Sequence, residues 1–279
     1  MVYYLKLLRI NHWVKNLLLF APLFFVGSIN NVEKLFSLFI AFIAFSLAAS
    51  CIYILNDYVD IKSDNLHPTK KHRPIASGKV SKKIALMIML FLFLCSLLLS
   101  LQIFHLTYWI LVYLLLNVLY STTLKHIPII EIMIVSSFYV LRILTGGDII
   151  SVYVSPWIIL CTIFASLFLI TGKRIAESYH NNYRSVLDTY TKKYLHNVLW
   201  LSSILSIISY GIYTVLILEQ KNQLAIYSIF FVLFGFLRYN LILEKNPERV
   251  EKPELLVFID KQLFINTILW VIYMYIIFY

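Results

Sequence analysis

Charge is scarce in this sequence. Asp, Glu, Lys and Arg together make up only 14% of 279 residues, where a soluble domain carries about 25%. That shortfall excludes an ordinary water-facing enzyme. Apolar residues reach 61%, against about 45–50% in soluble domains, so the excess must face lipid. Cysteine is nearly absent: Cys51, Cys95 and Cys161 each lie alone inside an apolar run, with no CxxC pair. A disulfide framework and a thiolate metal site are thereby excluded, and the three read as small core residues. Internal repeats and low-complexity tracts are missing. A leader peptidase site is missing too. Lys6, Arg9 and Lys15 precede the first apolar run, Leu17–Ile29, as in a leader. No small-x-small site follows it, so the run is expected to stay as a helix.

What is present is a series of long apolar runs. Stretches such as Leu35–Leu55, Ile84–Ile103 and Val198–Leu218 are long enough to cross about 30 Å of hydrocarbon as helices. Nine spans are expected, at about 15–29, 35–55, 84–103, 106–124, 128–147, 153–171, 195–218, 223–244 and 262–279. The expected fold is all-α, a nine-helix transmembrane bundle, with residues 1–279 as a single integral membrane domain. Its longer loops are 56–83, 172–194 and 245–261.

Basic residues orient that bundle. All of the 24 Lys and Arg except Lys34, Arg142 and Lys221 flank the N-terminus or the loops after even-numbered spans. The positive-inside rule then places the N-terminus and the long loops in the cytoplasm and the C-terminus outside, across the plasma membrane. The net charge of +10 is accordingly a topological bias, and no nucleic-acid partner is expected.

Acids are rarer than bases, 14 against 24, so a local concentration of them matters. Asn56-Asp57-Tyr58-Val59-Asp60-Ile61-Lys62-Ser63-Asp64 follows the second span directly. Asp57, Asp60 and Asp64 are spaced i, i+3, i+7, which puts three carboxylates on one helical face. Asn56 lies one turn from Asp60. Like charges so focused repel unless a cation neutralises them. Mg²⁺ suits them, since it takes oxygen ligands, keeps several waters and shares its shell with phosphates. The plainer alternative is a solvated acidic helix end.

Next comes His67-Pro68-Thr69-Lys70-Lys71-His72-Arg73-Pro74-Ile75-Ala76-Ser77-Gly78-Lys79. Prolines and a glycine fix an irregular loop. Lys70 and Arg73 are suited to phosphate, as a point charge and a planar fork. His67 and His72 fit loop hydrogen bonds better than metal ligation. At the end of span six, Thr171-Gly172-Lys173-Arg174-Ile175-Ala176-Glu177 sets Lys173 and Arg174 within one turn of Glu177. A helix-end salt bridge and a phosphate site are both open there. Lys15 and Asn16 could project into a polar cavity. Arg142 with Asp148 marks a further costly polar site near the fifth span.

The runs HWVKN, NDYVDIKSDNLHPTKKHRPIASG, TGKRIAE and RSVLDTYTKKYL, with the late Pro253-Glu254 and Asp260, resemble the UbiA-type intramembrane prenyltransferase superfamily over essentially the whole chain. Within it they are most similar to the polyprenyl-phosphate phosphoribosyltransferase branch. The resemblance implies nine helices and Mg²⁺, or Mn²⁺ in its place, held with a diphosphate by the NDxxDxxxD motif over a lipid-filled cavity. Asn56, Asp57, Asp60 and Asp64 would be the metal set. Family members acting on aromatic acceptors carry a second Asp-rich motif after helix six. Here residues 172–194 hold only Glu177 and Asp188, beside Lys173, Arg174 and Arg184. A donor with one diphosphate and one separate phosphate, phosphoribosyl pyrophosphate, fits better than a prenyl diphosphate. The expected reaction transfers 5-phosphoribose to a polyprenyl phosphate, as a precursor of a cell-envelope pentose glycolipid. Lys70, Arg73, Lys173 and Arg174 would hold phosphates, with Lys15, Glu177, Tyr190 and Asp260 as further substrate contacts. A homo-oligomer is compatible with the sequence. The alternatives are prenyl transfer to an aromatic or glycerophosphate acceptor, and a lipid-phosphate transporter, which has no need of a carboxylate stripe.

Overall fold

The computed structural model describes residues 2–66, 70–179, 185–218 and 222–279. His67, Pro68, Thr69, Arg184 and Lys221, which figured above, lie outside them. Among the described residues the regular structure is helical, without strands. The α-helices are α1 (Val2–Leu8), α2 (Ala21–Val26), α3 (Val32–Val59), α4 (Ile61–Leu66), α5 (Lys82–Ser100), α6 (Leu106–Thr122), α7 (Ile130–Ile149), α8 (Pro156–Ser178), α9 (Lys192–Tyr213), α10 (Ile229–Lys245), α11 (Pro253–Ile259) and α12 (Lys261–Phe278).

Among the described residues, seven helical segments are long and apolar enough to cross a membrane: Val32–Val59, Lys82–Ser100, Ile130–Ile149, Pro156–Ser178, Lys192–Ile217, Gln223–Lys245 and Lys261–Phe278. Two shorter apolar segments, Ile10–Val26 and Leu106–Thr122, fall where the first and fourth spans were expected. The chain is a multi-pass membrane protein. Large apolar side chains such as Phe36, Phe91, Leu98, Phe230 and Ile276 are exposed, as lipid contact requires. Helix starts follow local chemistry. The side chains of Asn31, Ser81, Thr191 and Asp260 each accept from a backbone N–H three residues on, the usual role of these residue types at an N-cap. Ser155 accepts from Trp157 N–H, with Pro156 in the first turn of α8.

Contacts divide the chain into two compact units. The first comprises Met1–Phe24, Ser28–Lys125 and Leu141–Val152. Its core joins Leu7, Cys51, Ile54, Ile75, Val80, Ala85 and Leu92. Small residues on α3, Ala41, Ala44, Ala48 and Ala49, are fully or almost fully buried and let neighbouring backbones approach. Ser96 of α5 donates to the Ala44 carbonyl at 2.8 Å. The second unit comprises Phe25–Gly27, His126–Val140 and Tyr153–Tyr279. Its core joins Phe168, Ile175, Leu195, Leu199, Tyr239, Leu243, Val250, Leu256 and Leu263.

The first span differs from expectation. Instead of one α-helix, Ile10–Phe20 winds as a 3₁₀ helix, entered through Arg9 in left-handed geometry, φ 49°. Runs of this kind rarely exceed 3–4 residues. Pro22 acts only at the segment's end, where it has no N–H to give to residue 18; Ala21 before it already has α geometry, φ −56° and ψ −45°, and opens α2. A polar network accompanies the winding. Fully buried Asn16 donates to Ser46 at 2.9 Å and accepts from Arg142 Nε at 2.7 Å. The Arg142 guanidinium also lies 5.2 Å from the Tyr113 ring centre. Arg142 was matched with Asp148 in sequence; Asp148 instead accepts from Trp109 at 2.7 Å and lies 3.3 Å from His105.

The 3₁₀ segment packs on α7 where Gly146 leaves no side chain. A Cβ there would run into the Leu19 carbonyl. Gly146→Ala should therefore cost about 1–3 kcal/mol through overpacking against backbone. A thermal unfolding scan in detergent checks this, and an unchanged midpoint would refute it.

Candidate functional site

The first unit gathers the acidic motif. α3 runs to Val59, so Asn56 and Asp57 ride on its last turn. At Asp60 the backbone leaves helical geometry, ψ 8°, and α4 restarts at Ile61. Asp60 N–H still donates to Asn56 O at 2.9 Å, and Asp64 N–H to Asp60 O at 2.8 Å. The one-turn spacing thus survives the break, and Asp57 and Asp64 both reach the same guanidinium. Arg73 Nη1 lies 2.7 Å from Asp64 Oδ2 and 3.1 Å from Asp57 Oδ1. Both carboxylates are almost fully buried, at 1% and 3% exposure.

Two more cations complete the cluster. Arg9 donates to Asp57 Oδ1 while its guanidinium lies 4.9 Å from the ring centre of Tyr53, one turn before Asp57. Lys125 Nζ, from the turn after α6, bonds Asp60 Oδ1 at 2.6 Å. Each buried charge is therefore compensated, as the several-kcal/mol cost of an isolated buried ion demands. Burial pushes the Asp64 carboxyl above its ordinary value, and the Arg73 guanidinium pulls it part of the way back. Lys70 acts on the same carboxylate through its charge. His72 is exposed and Lys15 half-buried.

The donor set fits a hard divalent ion of a particular kind. It is all oxygen, and Asn56 Oδ1 is buried with no hydrogen-bond partner among the described residues. Yet among those residues no three acidic, histidine or cysteine side chains close on one point, because cations stand between the carboxylates. That suits a metal held through one or two carboxylates, waters and a ligand's phosphates, rather than a protein cage.

The second unit gathers the later motifs. α8 does not stop at 171; it continues to Ser178 and carries Lys173, Arg174 and Glu177 on helix where a loop was expected. Gly172 makes room for this packing, since a Cβ would come within 2.7 Å of Tyr239 Cε1. Arg174 turns inward, 3% exposed. Its Nε and Nη2 bond Glu131 Oε1 and Oε2 at 2.8 and 2.6 Å, and Nη1 bonds Glu177 Oε2 at 2.6 Å. Glu131 is fully buried. Lys173 extends outward, its Nζ 3.9 Å from Glu177 Oε1. The Tyr190 hydroxyl accepts from Ile129 N–H at 2.6 Å, and burial pushes its ionisation upward. Asp188 is exposed. Asp260 caps α12 through Leu263 N–H at 3.0 Å and takes a two-point bond from Arg238, at 3.1 and 2.7 Å. The Arg238 hydrogen bonds hold the Asp260 carboxyl below its usual range.

Arg9, Lys125 and Glu131 were missed as cluster members by sequence reasoning. A signal existed for Glu131, an acid in the first turn of an apolar span, which calls for a partner.

The UbiA prenyltransferase family model matches residues 17–268. The decaprenyl-phosphate phosphoribosyltransferase of Mycobacterium tuberculosis (strain H37Rv) is 38% identical over 218 residues, 75% of this chain and 72% of that protein. The enzyme of the same name from Mycolicibacterium smegmatis is 36% identical over 219 residues, 75% of this chain and 69% of the relative. In fold, a UbiA homologue from Archaeoglobus fulgidus bound to GPP and Mg²⁺ superposes with a TM-score of 0.74, covering 99% of both chains at 17% identity. With the NDxxDxxxD carboxylates gathered on α3 and α4, the chain belongs to the UbiA prenyltransferase family, alongside the decaprenyl-phosphate phosphoribosyltransferases.

Proposed function

We propose that this chain transfers 5-phosphoribose from phosphoribosyl pyrophosphate to a polyprenyl phosphate and releases pyrophosphate. The observation that carries the reading is the mixed-charge cluster of the first unit: three carboxylates, each paired to a cation, beside a spare amide oxygen. A magnesium pyrophosphate needs such a composition, with acids for the metal and bases for the phosphate oxygens. The choice of phosphoribose follows the relatives' names.

Asn56, Asp57, Asp60 and Asp64 would hold Mg²⁺, or Mn²⁺ in its place, which when bound neutralises charge developing on the leaving pyrophosphate. Arg73 and Lys70 stand ready for phosphate oxygens, as do Arg9 and Lys125. A lipid phosphate oxygen attacks the anomeric carbon as the bond from that carbon to pyrophosphate breaks. The sugar passes through an oxocarbenium-like state. The lipid phosphate is already ionised, so no general base is needed. Catalysis is then positioning and electrostatic stabilisation. Tyr190 and Asp260 would act by fixing backbone within the second unit, at Ile129 and at the start of α12.

Of the two cations Lys173 and Arg174 on α8, Lys173 is the outward one, and we assign it to the donor's 5-phosphate. Lys173→Ala should lower kcat/KM about ten- to a hundredfold, since a charged hydrogen bond contributes roughly 1.5–3 kcal/mol. Lys192, whose ammonium lies 4.3 Å from the Tyr179 ring centre, serves as the control. Equal, small effects at both positions would make Lys173 merely topological.

The orientation follows the positive-inside bias, with the N-terminus in the cytoplasm at the plasma membrane. A C-terminal reporter should then be active only outside; activity confined to the cytoplasm would overturn it.

Fold likeness to a protein bound to GPP favours a second reading, transfer from a prenyl diphosphate. Membranes incubated with ribose-labelled phosphoribosyl pyrophosphate and polyprenyl phosphate separate the two. Label should enter the organic phase. Label from a prenyl diphosphate entering an aromatic or glycerophosphate acceptor instead would select the second.

A further inference from the structure

A paired carboxylate site also exists in the second unit, and it is already filled. Glu131, fully buried, and Glu177, its side chain 26% exposed, both point at one cation. That cation is the Arg174 guanidinium, bonded at 2.6–2.8 Å to three carboxylate oxygens. Two carboxylates around a shared positive centre form the kind of oxygen set that otherwise takes a divalent ion. The family's second acidic motif, at this end of the sixth span, implies a second metal. The residues here do not fit one, because the guanidinium occupies the place.

We propose that Arg174 is a built-in cation that replaces a second divalent metal between Glu131 and Glu177, so that the chain binds one metal, at the Asp57–Asp60–Asp64 cluster. The inference rests on the metal reading of that first cluster and is independent of which group is transferred. It accounts for the absence of a second Asp-rich motif: acids remain, but their charge is neutralised from within. A fixed guanidinium cannot dissociate with the product or take a water ligand. The second unit therefore works without metal exchange.

The test counts metal directly. Purified full-length protein in detergent is titrated with Mn²⁺ in the presence of pyrophosphate, and free Mn²⁺ is read by electron paramagnetic resonance. Wild type should bind one Mn²⁺ per chain, unaffected by Glu177→Gln and lost in Asp57→Ala. Arg174→Met should bind a second Mn²⁺, which also raises its thermal midpoint more than that of wild type. Adding Glu177→Gln to Arg174→Met should return the count to one. Two Mn²⁺ per wild-type chain, one of them removed by Glu177→Gln, would overturn the proposal even if Arg174→Met does not fold. So would a folded Arg174→Met that binds only one. Wild type binding none would instead bring down the first cluster's metal reading, and the inference with it. None of these outcomes turns on the identity of the donor.

Discussion

Asp57→Ala should abolish turnover, lowering kcat/KM by a thousandfold or more, about 4 kcal/mol of transition-state stabilisation. The size follows from what Asp57 does. It is buried, and among the described residues it is the carboxylate in contact with both Arg9 and Arg73. On the proposed function its loss would remove a metal ligand, and it removes the acid that holds Arg9 and Arg73 together. The protein should nonetheless fold. The side chains of Arg9 and Arg73 are 21% and 24% exposed, so water can take over their hydration, and Arg73 keeps Asp64. Asp57→Asn preserves shape and should fail almost as completely. Chelation of divalent metal should silence wild type, with Mg²⁺ restoring it. Initial rates with labelled donor, alongside a thermal scan, decide the matter. A folded Asp57→Ala enzyme turning over near the wild-type rate would remove the carboxylate role.

The spans were legible because lipid contact requires unbroken apolar surface, and no other constraint produces runs such as 35–55. The acidic stripe was legible for a local reason: its members fall within nine residues, and helical spacing alone brings Asp57 and Asp64 to one side. Pairings over long separations were not. Arg174 meets Glu131 across 43 residues, and Lys125 meets Asp60 across 65. Periodicity says nothing about which helices are neighbours. Arg142 shows the same limit. Its burial cost was evident in sequence, but the acid nearest in sequence, Asp148, bonds Trp109 instead, and the partners of Arg142 include the amide of Asn16 and the Tyr113 ring. The 3₁₀ winding of Ile10–Phe20 escaped for another reason. Hydropathy reports that a segment is apolar, whereas its winding goes with a buried polar network that joins Asn16 to Ser46 and Arg142.

The helix end of α8 separates two kinds of cation, and the largest stability effect is expected there. Arg174→Ala strips a fully buried Glu131 of its two-point partner and leaves Glu177 beside it. Removing one member of a buried ion pair costs about 3–5 kcal/mol, or a fall of about 10 °C in the midpoint for a chain of this size. Lys173→Ala, one residue earlier, breaks a 3.9 Å surface pair, worth about 0–1 kcal/mol, and should leave the midpoint within a degree or two. Their activities should separate in the opposite sense. Lys173→Ala loses donor affinity in a stable protein, and the loss should shrink for a donor analogue without the 5-phosphate. Arg174→Ala loses activity in proportion to the folded fraction, for both donors alike. Combining Arg174→Met with Glu131→Gln removes both buried charges and should recover most of the lost stability, because a buried ion pair is often replaceable by neutral residues of similar volume. Donor saturation curves and melting midpoints on the four proteins check each step. If Arg174→Ala keeps the wild-type midpoint while discriminating between the two donors, the guanidinium faces substrate phosphate rather than Glu131, and the buried fork is not the state in which the enzyme works.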